Sequence, residues 1–154
     1  EDGSSGIEAA DLSDWAGKKA GGGAGTQYMK IAEKQGAEPV IYDNVTNDVY
    51  LRDVSTGRTD FIPNDYFTQV MAIQWVKSNF PDIKVKMGDA QYNPTEQGIV
   101  MSKSDDSLKE KLDETIEAMK ADGTLKAISE KYYGGQDLTV PVENADELPV
   151  IDVE

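Results

Sequence analysis

Cysteine and histidine are both absent from this 154-residue chain, and together they remove most common routes to catalysis. Without thiols there are neither disulfides nor thiolate metal sites. Without imidazole there are no histidine metal ligands, no Ser-His-Asp or Cys-His arrangement, and no general base of the usual neutral-pH kind. Acid–base chemistry would rest on Asp, Glu, Lys or Tyr, and no carboxylate pair has a spacing that marks an acid and a base. An enzyme is not expected. Freedom from cysteine fits either redox compartment and suits an exported chain.

Positive charge is also scarce, with 15 Lys and Arg against 29 Asp and Glu for a net −14. Such a balance favours solubility and repels nucleic acid and anionic membrane surfaces, so no nucleic-acid partner is expected. No window approaches the roughly 18 apolar residues of a membrane span. The chain opens on Glu1 rather than Met and runs into Asp2-Gly3-Ser4-Ser5-Gly6, from which a processed or cut chain is expected. What remains is ordinary for a globular protein, 38% hydrophobic and 29% charged.

Residues 10–15 read as a short helical turn, and Gly17-Lys18-Lys19 leads into a strand through Ala20. Gly21, Gly22, Gly23 and Gly25 read as a turn with permissive backbone angles. The spacing predicts a helix over 26–35 that buries Met29, Ile31 and Ala32 and stops at Gly36. A strand over 40–42 and a helix over 46–55, stopped by Gly57, come next. Residues 59–62 read as a strand ended by Pro63. Asn64 or Asp65 then caps a helix carrying Tyr66, Val70, Ile73 and Trp75, with Trp75 expected in the core. Residues 83–87 alternate as a strand does. Strands alternating with helices imply βαβ units on a mainly parallel sheet flanked by helices.

Beyond a polar connector at 92–97, residues 98–101 read as a strand. One helix begins near Asp105 and Asp106 and carries Leu108, Leu112, Ile116 and Met119. Thr124 caps another, with Leu125, Ile128 and Tyr132, which Gly134-Gly135 closes. Residues 136–154 form an acidic extended tail punctuated by Pro141 and Pro149. The expected organisation is a flexible start (1–10), a ligand-binding lobe (11–97), a strand and two helices of another lobe (98–135) and the tail (136–154).

Two places carry candidate chemistry. A glycine-rich turn opening a helix presents unpaired N–H groups and the positive end of the helix dipole. Gly25, Thr26 and Gln27 would seat a carboxylate or a phosphate there, or simply make a tight turn. Asp65 follows a strand and Pro63, where open α/β sheets bind ligands; it would take an ammonium group or merely cap its helix. An anion seat facing an acid describes a zwitterion site, and hence an amino acid. Asp60 would hold Arg58 or a loop amide. Tyr66, Phe67, Tyr92 and Trp75 would form an aromatic wall. No spacing points to a metal or cofactor.

In order and spacing, Asp11-Leu12, Gly17-Lys18-Lys19, Gly25-Thr26 and Gly57-Arg58-Thr59-Asp60 with Asp65 resemble the second lobe of family 3 extracellular solute-binding proteins, the amino-acid receptors of ABC importers. Gly98-Ile99-Val100-Met101, Lys120 to Leu125, and Ile128 through Lys131-Tyr132-Tyr133-Gly134-Gly135 agree, so the resemblance spans about 7–138. Among subgroups the chain is similar to cystine or polar amino-acid binders. The resemblance implies a periplasmic-binding-protein-like lobe, an extracytoplasmic location (periplasm or cell-surface lipoprotein), no cofactor, and an ABC permease as partner. It implies that Thr26 and Gln27 grip the ligand carboxylate and Asp65 the α-ammonium, between two closing lobes. Two features depart from the family: the strand at 20–23 is nearly bare, and most of a first lobe, with its carboxylate-pairing arginine, is missing. The last two helices would then lack their usual cover, from which back-docking or self-association is expected. A sensor domain of a signalling receptor is the alternative reading; a small dehydratase on this scaffold is a third.

Overall fold

The computed structural model describes residues 5–96 and 98–153, in two compact units: one runs to Asn93 and takes back the chain from Pro149, the other spans Pro94–Leu148. In the first, β1 (Lys19–Gly23) pairs in parallel with β2 (Glu38–Tyr42), Gly21 opposite Val40 and Gly23 opposite Tyr42. The bareness of β1 has a packing reason. A Cβ on Gly21 would stand 2.7 Å from Ile62 Cδ1, and one on Gly22 would stand 2.4 Å from Met29 Sδ. Glycine lets those neighbours rest on the strand backbone itself. The turn expected over 21–25 is therefore confined to Ala24 and Gly25, where a φ of 70° requires glycine.

Thr26 caps α1 (Gln27–Lys34), which buries Met29, Ile31 and Ala32 as its periodicity predicts. β1, α1 and β2 make one βαβ unit. The strand expected over 59–62 shrinks to a single parallel bridge between Ala20 and Phe61. Gly21 N–H donates to the Phe61 carbonyl at 2.9 Å and Asp60 N–H to Lys19 at 2.8 Å; Pro63 has no N–H with which to extend the ladder.

α2 (Asn47–Ser55) and α3 (Tyr66–Asn79) border a second core. α3 buries Gln69, Ala72, Ile73 and Val76, a stripe at helical spacing. Trp75 falls on the other side of that stripe. It is 49% exposed, packed edge-on against Phe80 at 5.4 Å, so its expected core place is corrected. Ile83 and Val85 are buried in alternation, yet 83–87 joins no sheet: the Lys84 N–H is taken by Ser55 Oγ at 2.8 Å. Alternation reported burial there, not pairing.

The first core gathers Leu12, Trp15, Ala20, Met29, Ile31, Ala32, Ala37 and Phe61, with Ile7, Ala90, Tyr92, Ile151 and Val153 packed around it. In the second unit, α4 (Asp106–Ala121) and α5 (Thr124–Tyr132) lie against each other. Gly123, at φ 81°, precedes α5; Thr124 is its first helical residue rather than its cap, and donates its N–H to Asp122 Oδ1 at 2.8 Å. Only Ser129 is buried on these helices, its hydroxyl bonded to Gln136 and Leu138 backbone at 2.8 Å each. Residues 98–101, expected as a strand, form no ladder among the described residues, and Ile99 and Val100 are exposed.

Candidate functional site

The hydroxyl of Thr26 is already engaged at both ends: it donates to the Gly23 carbonyl at 3.1 Å and accepts from Met29 N–H at 3.3 Å. That is an N-cap, and it leaves the first-turn amides of Gln27 and Tyr28 without hydrogen bonds to the described residues. Those two N–H groups, at the positive end of α1, are the donors free for an anion. Gly25 brings the chain into this turn with open space at its Cα.

Asp65 caps α3, its Oδ1 accepting from Thr68 N–H at 2.8 Å. The second carboxylate oxygen plays no part in that cap. Tyr28, in the first turn of α1, has a phenol pushed up from its ordinary pKa first by burial and then by the Asp65 carboxylate. Tyr92 adjoins the same group: burial, then Tyr28, pushes its phenol up to about 12. The Tyr92 hydroxyl is buried and finds no hydrogen-bond partner among the described residues. Its ring meets Trp15 edge-on at 5.6 Å.

Sequence reasoning named Thr26, Gln27, Gly25 and Asp65 but missed Tyr28. The one available signal was its place in the first turn of a capped helix; the link to Asp65 is tertiary. Nor is there a single aromatic wall. Tyr66 pairs with Phe67 at 5.1 Å, Trp75 with Phe80, and Tyr92 with Trp15.

The neighbouring charges are structural. Asp60 Oδ2 accepts from Lys19 N–H at 2.7 Å, the backbone-amide alternative, while Arg58 pairs with Asp53 at 3.5 Å. Asp53 is buried and accepts from the Tyr42 hydroxyl at 2.5 Å. Burial, then Asp53, pushes the Tyr42 phenol up to about 12. The Asp53 carbonyl also holds the Arg58 and Thr59 amides, so this cluster fixes the path from α2 to the Ala20 bridge. A shallow depression lined by Val45, Thr46, Asn47, Asp48 and Trp75 includes none of the expected site residues. Among the described residues no acidic cluster is arranged to hold a metal, and no helix is long and apolar enough to cross a membrane.

The sequence model of bacterial extracellular solute-binding proteins, family 3, matches residues 17–135. A probable ABC transporter extracellular-binding protein of Bacillus subtilis, YckB, is 42% identical over 133 residues, covering 86% of this chain and 45% of its own. The L-cystine-binding protein TcyJ of Escherichia coli is 33% identical over 130 residues, covering 83% and 46%. Among solved structures, YckB superimposes with a TM-score of 0.80 at 39% identity, over 98% of this chain and 57% of that one. An ancestral arginine-binding protein bound to glutamine gives 0.62 at 29% identity, over 83% and 54%. The chain spans about half the length of the curated relatives it matches. Sequence and fold agree over most of the chain, which belongs to the bacterial extracellular solute-binding proteins, family 3.

Proposed function

We propose that this chain is the lobe of an ABC-importer receptor that grips the zwitterionic end of an amino acid, captured between two closing lobes and delivered to a permease outside the cytoplasm. One observation carries the reading: two helix starts in one unit leave an Asp65 oxygen outside its own cap and the Gln27 and Tyr28 amides without hydrogen bonds to the described residues. A free amino acid has the complementary pair of charges. Its carboxylate would take the Gln27 and Tyr28 N–H groups, with Gly25 giving access and Thr26 holding the turn open. Its ammonium would take the second oxygen of Asp65, a charge-assisted bond that strengthens when water is excluded. Relatives named for binding cystine and arginine make polar amino acids the first candidates. Solute binding without turnover fits a chain that lacks histidine.

A thermal-shift panel of L-amino acids including cystine, arginine and glutamine tests this. A true ligand at a hundred times its Kd adds about 2.7 kcal/mol of stability and raises the melting temperature. Asp65→Ala should abolish the shift while the protein stays folded. A flat response across the panel would contradict the assignment.

A further inference from the structure

The run that leads to Asp65 is joined to β1 by a very short ladder. Phe61 N–H donates to the Lys19 carbonyl at 3.3 Å, Asp60 N–H to the same carbonyl at 2.8 Å, and Gly21 N–H to the Phe61 carbonyl at 2.9 Å. A regular parallel ladder would next take the Lys19 N–H on the carbonyl of Thr59. That rung is absent among the described residues, and the Arg58 and Thr59 amides both go to the Asp53 carbonyl of α2, at 2.9 and 3.3 Å. The Asp60 side chain supplies the rung in its place, Oδ2 accepting from Lys19 N–H at 2.7 Å. Asp60 therefore holds Lys19 twice, through its own N–H and through its carboxylate.

A ladder this short specifies its register weakly, and each residue of slip carries the chain about 3.3 Å along the strand. The slip would be felt beyond the ladder. Parallel pairing of Ala20 with Phe61 sends both runs out at the same edge of the sheet. From there β1 continues through Gly25 to the open amides of α1, and the other run continues through Pro63 to Asp65. A slip of one residue is as long as a hydrogen bond itself, about 3 Å from donor to acceptor, so a ligand could not keep both ends bonded. We propose that Asp60 is the positioning residue of this site: its carboxylate pins the register between β1 and residues 60–61, and so sets where Asp65 stands relative to the open amides of α1. This rests on the amino-acid reading above and adds to it a residue that acts on the ammonium end without touching the ligand.

The test titrates the full chain calorimetrically with L-cystine, L-arginine and L-glutamine, and then with the deaminated analogue of whichever binds. Asp60→Ala should weaken the amino acid about tenfold, the scale of one misplaced hydrogen bond. The deaminated analogue offers Asp65 no ammonium, so its affinity should stay within about twofold of the parent's. A residue that only stabilised the fold would weaken both ligands alike or neither. Asp60→Asn still offers an oxygen to Lys19 N–H and should keep the amino acid within about threefold of the parent. Asp60→Glu, with its carboxylate displaced by one methylene, should show an intermediate loss in the same selective pattern, and it decides the matter where Asp60→Ala folds poorly. An equal loss for the two ligands, or an Asp60→Ala protein that binds the amino acid as tightly as its parent, would overturn the proposal. Should the parent bind none of the three, the amino-acid reading fails on its own, and the register is judged by amide hydrogen exchange. Asp60→Ala should then exchange the Gly21 amide about tenfold faster, while the Glu38 amide, bonded to the Lys18 carbonyl at 2.7 Å on the β2 side, keeps its rate. An unchanged Gly21 rate rejects the pinned register, and a selectively faster one supports it.

Discussion

Under the proposed reading Asp65 divides structure from binding, because its Oδ1 caps α3 while its second oxygen takes no part in the cap. Asparagine caps helices nearly as well as aspartate but carries no charge. Asp65→Asn should therefore keep unfolding free energy within about 0.5 kcal/mol of the parent, whereas Asp65→Ala should lose about 1 kcal/mol. Both should lose the ligand; urea titration beside ligand titration distinguishes the two effects. Tyr92 gives a pH prediction. Its phenol, at about 12 against an ordinary 10.0, holds its proton more tightly folded than unfolded. That stability is fully present below about pH 10 and is lost as pH rises towards 12. Tyr42, also at about 12, adds a decline over the same window, so Tyr92→Phe should reduce the alkaline fall in melting temperature without abolishing it; an unaltered decline would place its cause elsewhere. At this scale the sequence was legible wherever a residue's role is local. Asp65, with Asn64 as the alternative, announces itself as a cap before a helical pattern, and Thr26 marks the start of one, although the structure makes it the cap rather than the first helical residue. Tyr28 does not, since its importance comes from a carboxylate in another element.

The elements show the same division between local and tertiary information. The boundaries of α1, α2 and α3 follow from caps, stops and apolar spacing, and the structure places them within a residue or two of expectation. Strands were less legible because pairing is non-local. Residues 83–87 have the alternation of a strand, but burying Ile83 and Val85 does not supply a neighbouring strand, and none pairs with them among the described residues. The glycines of β1 pointed to a turn, whereas their cause is the approach of Met29 and Ile62, which no local pattern encodes. Gly22→Ala would thrust a methyl group to within 2.4 Å of Met29 Sδ. It should destabilise the chain by about 1–3 kcal/mol, the usual range for overpacking. Gly25→Ala meets no neighbour and should act only through its positive φ, by about 1–2 kcal/mol. If that reading of β1 is right, Met29→Ala, itself costly at a fully buried position, combines with Gly22→Ala to lose less than the sum of the two single losses, but with Gly25→Ala to lose the full sum.

For the whole molecule, charge and exposed apolar surface oppose each other. A net −14 repels like copies, while Leu108, Ile128, Tyr132 and Val100 stand exposed in the second unit. Faces of this kind bury themselves when a partner is offered. This chain alone should accordingly self-associate, more strongly as salt screens the repulsion. Sedimentation over a range of concentrations should show it, with Leu108→Glu or Ile128→Glu restoring the monomer; a monomer at high salt and high concentration would contradict the expectation. The family was legible from the order of short motifs along the chain, none decisive alone, and the comparisons bear it out over residues 17–135. The identity of the ligand was not legible, because contacts to a ligand side chain are assembled from residues far apart in sequence.

The central claim is that the site reads both charges of a free amino acid. Calorimetric titration of the most stabilising amino acid, set against its deaminated and carboxamide analogues, tests it most directly. Tight binding of the parent with each analogue weaker by about 30-fold or more, some 2 kcal/mol for a lost charge-assisted hydrogen bond, is the predicted result. Equal affinity for all three would show that neither Asp65 nor the open amides of α1 recognise the ligand's charged ends.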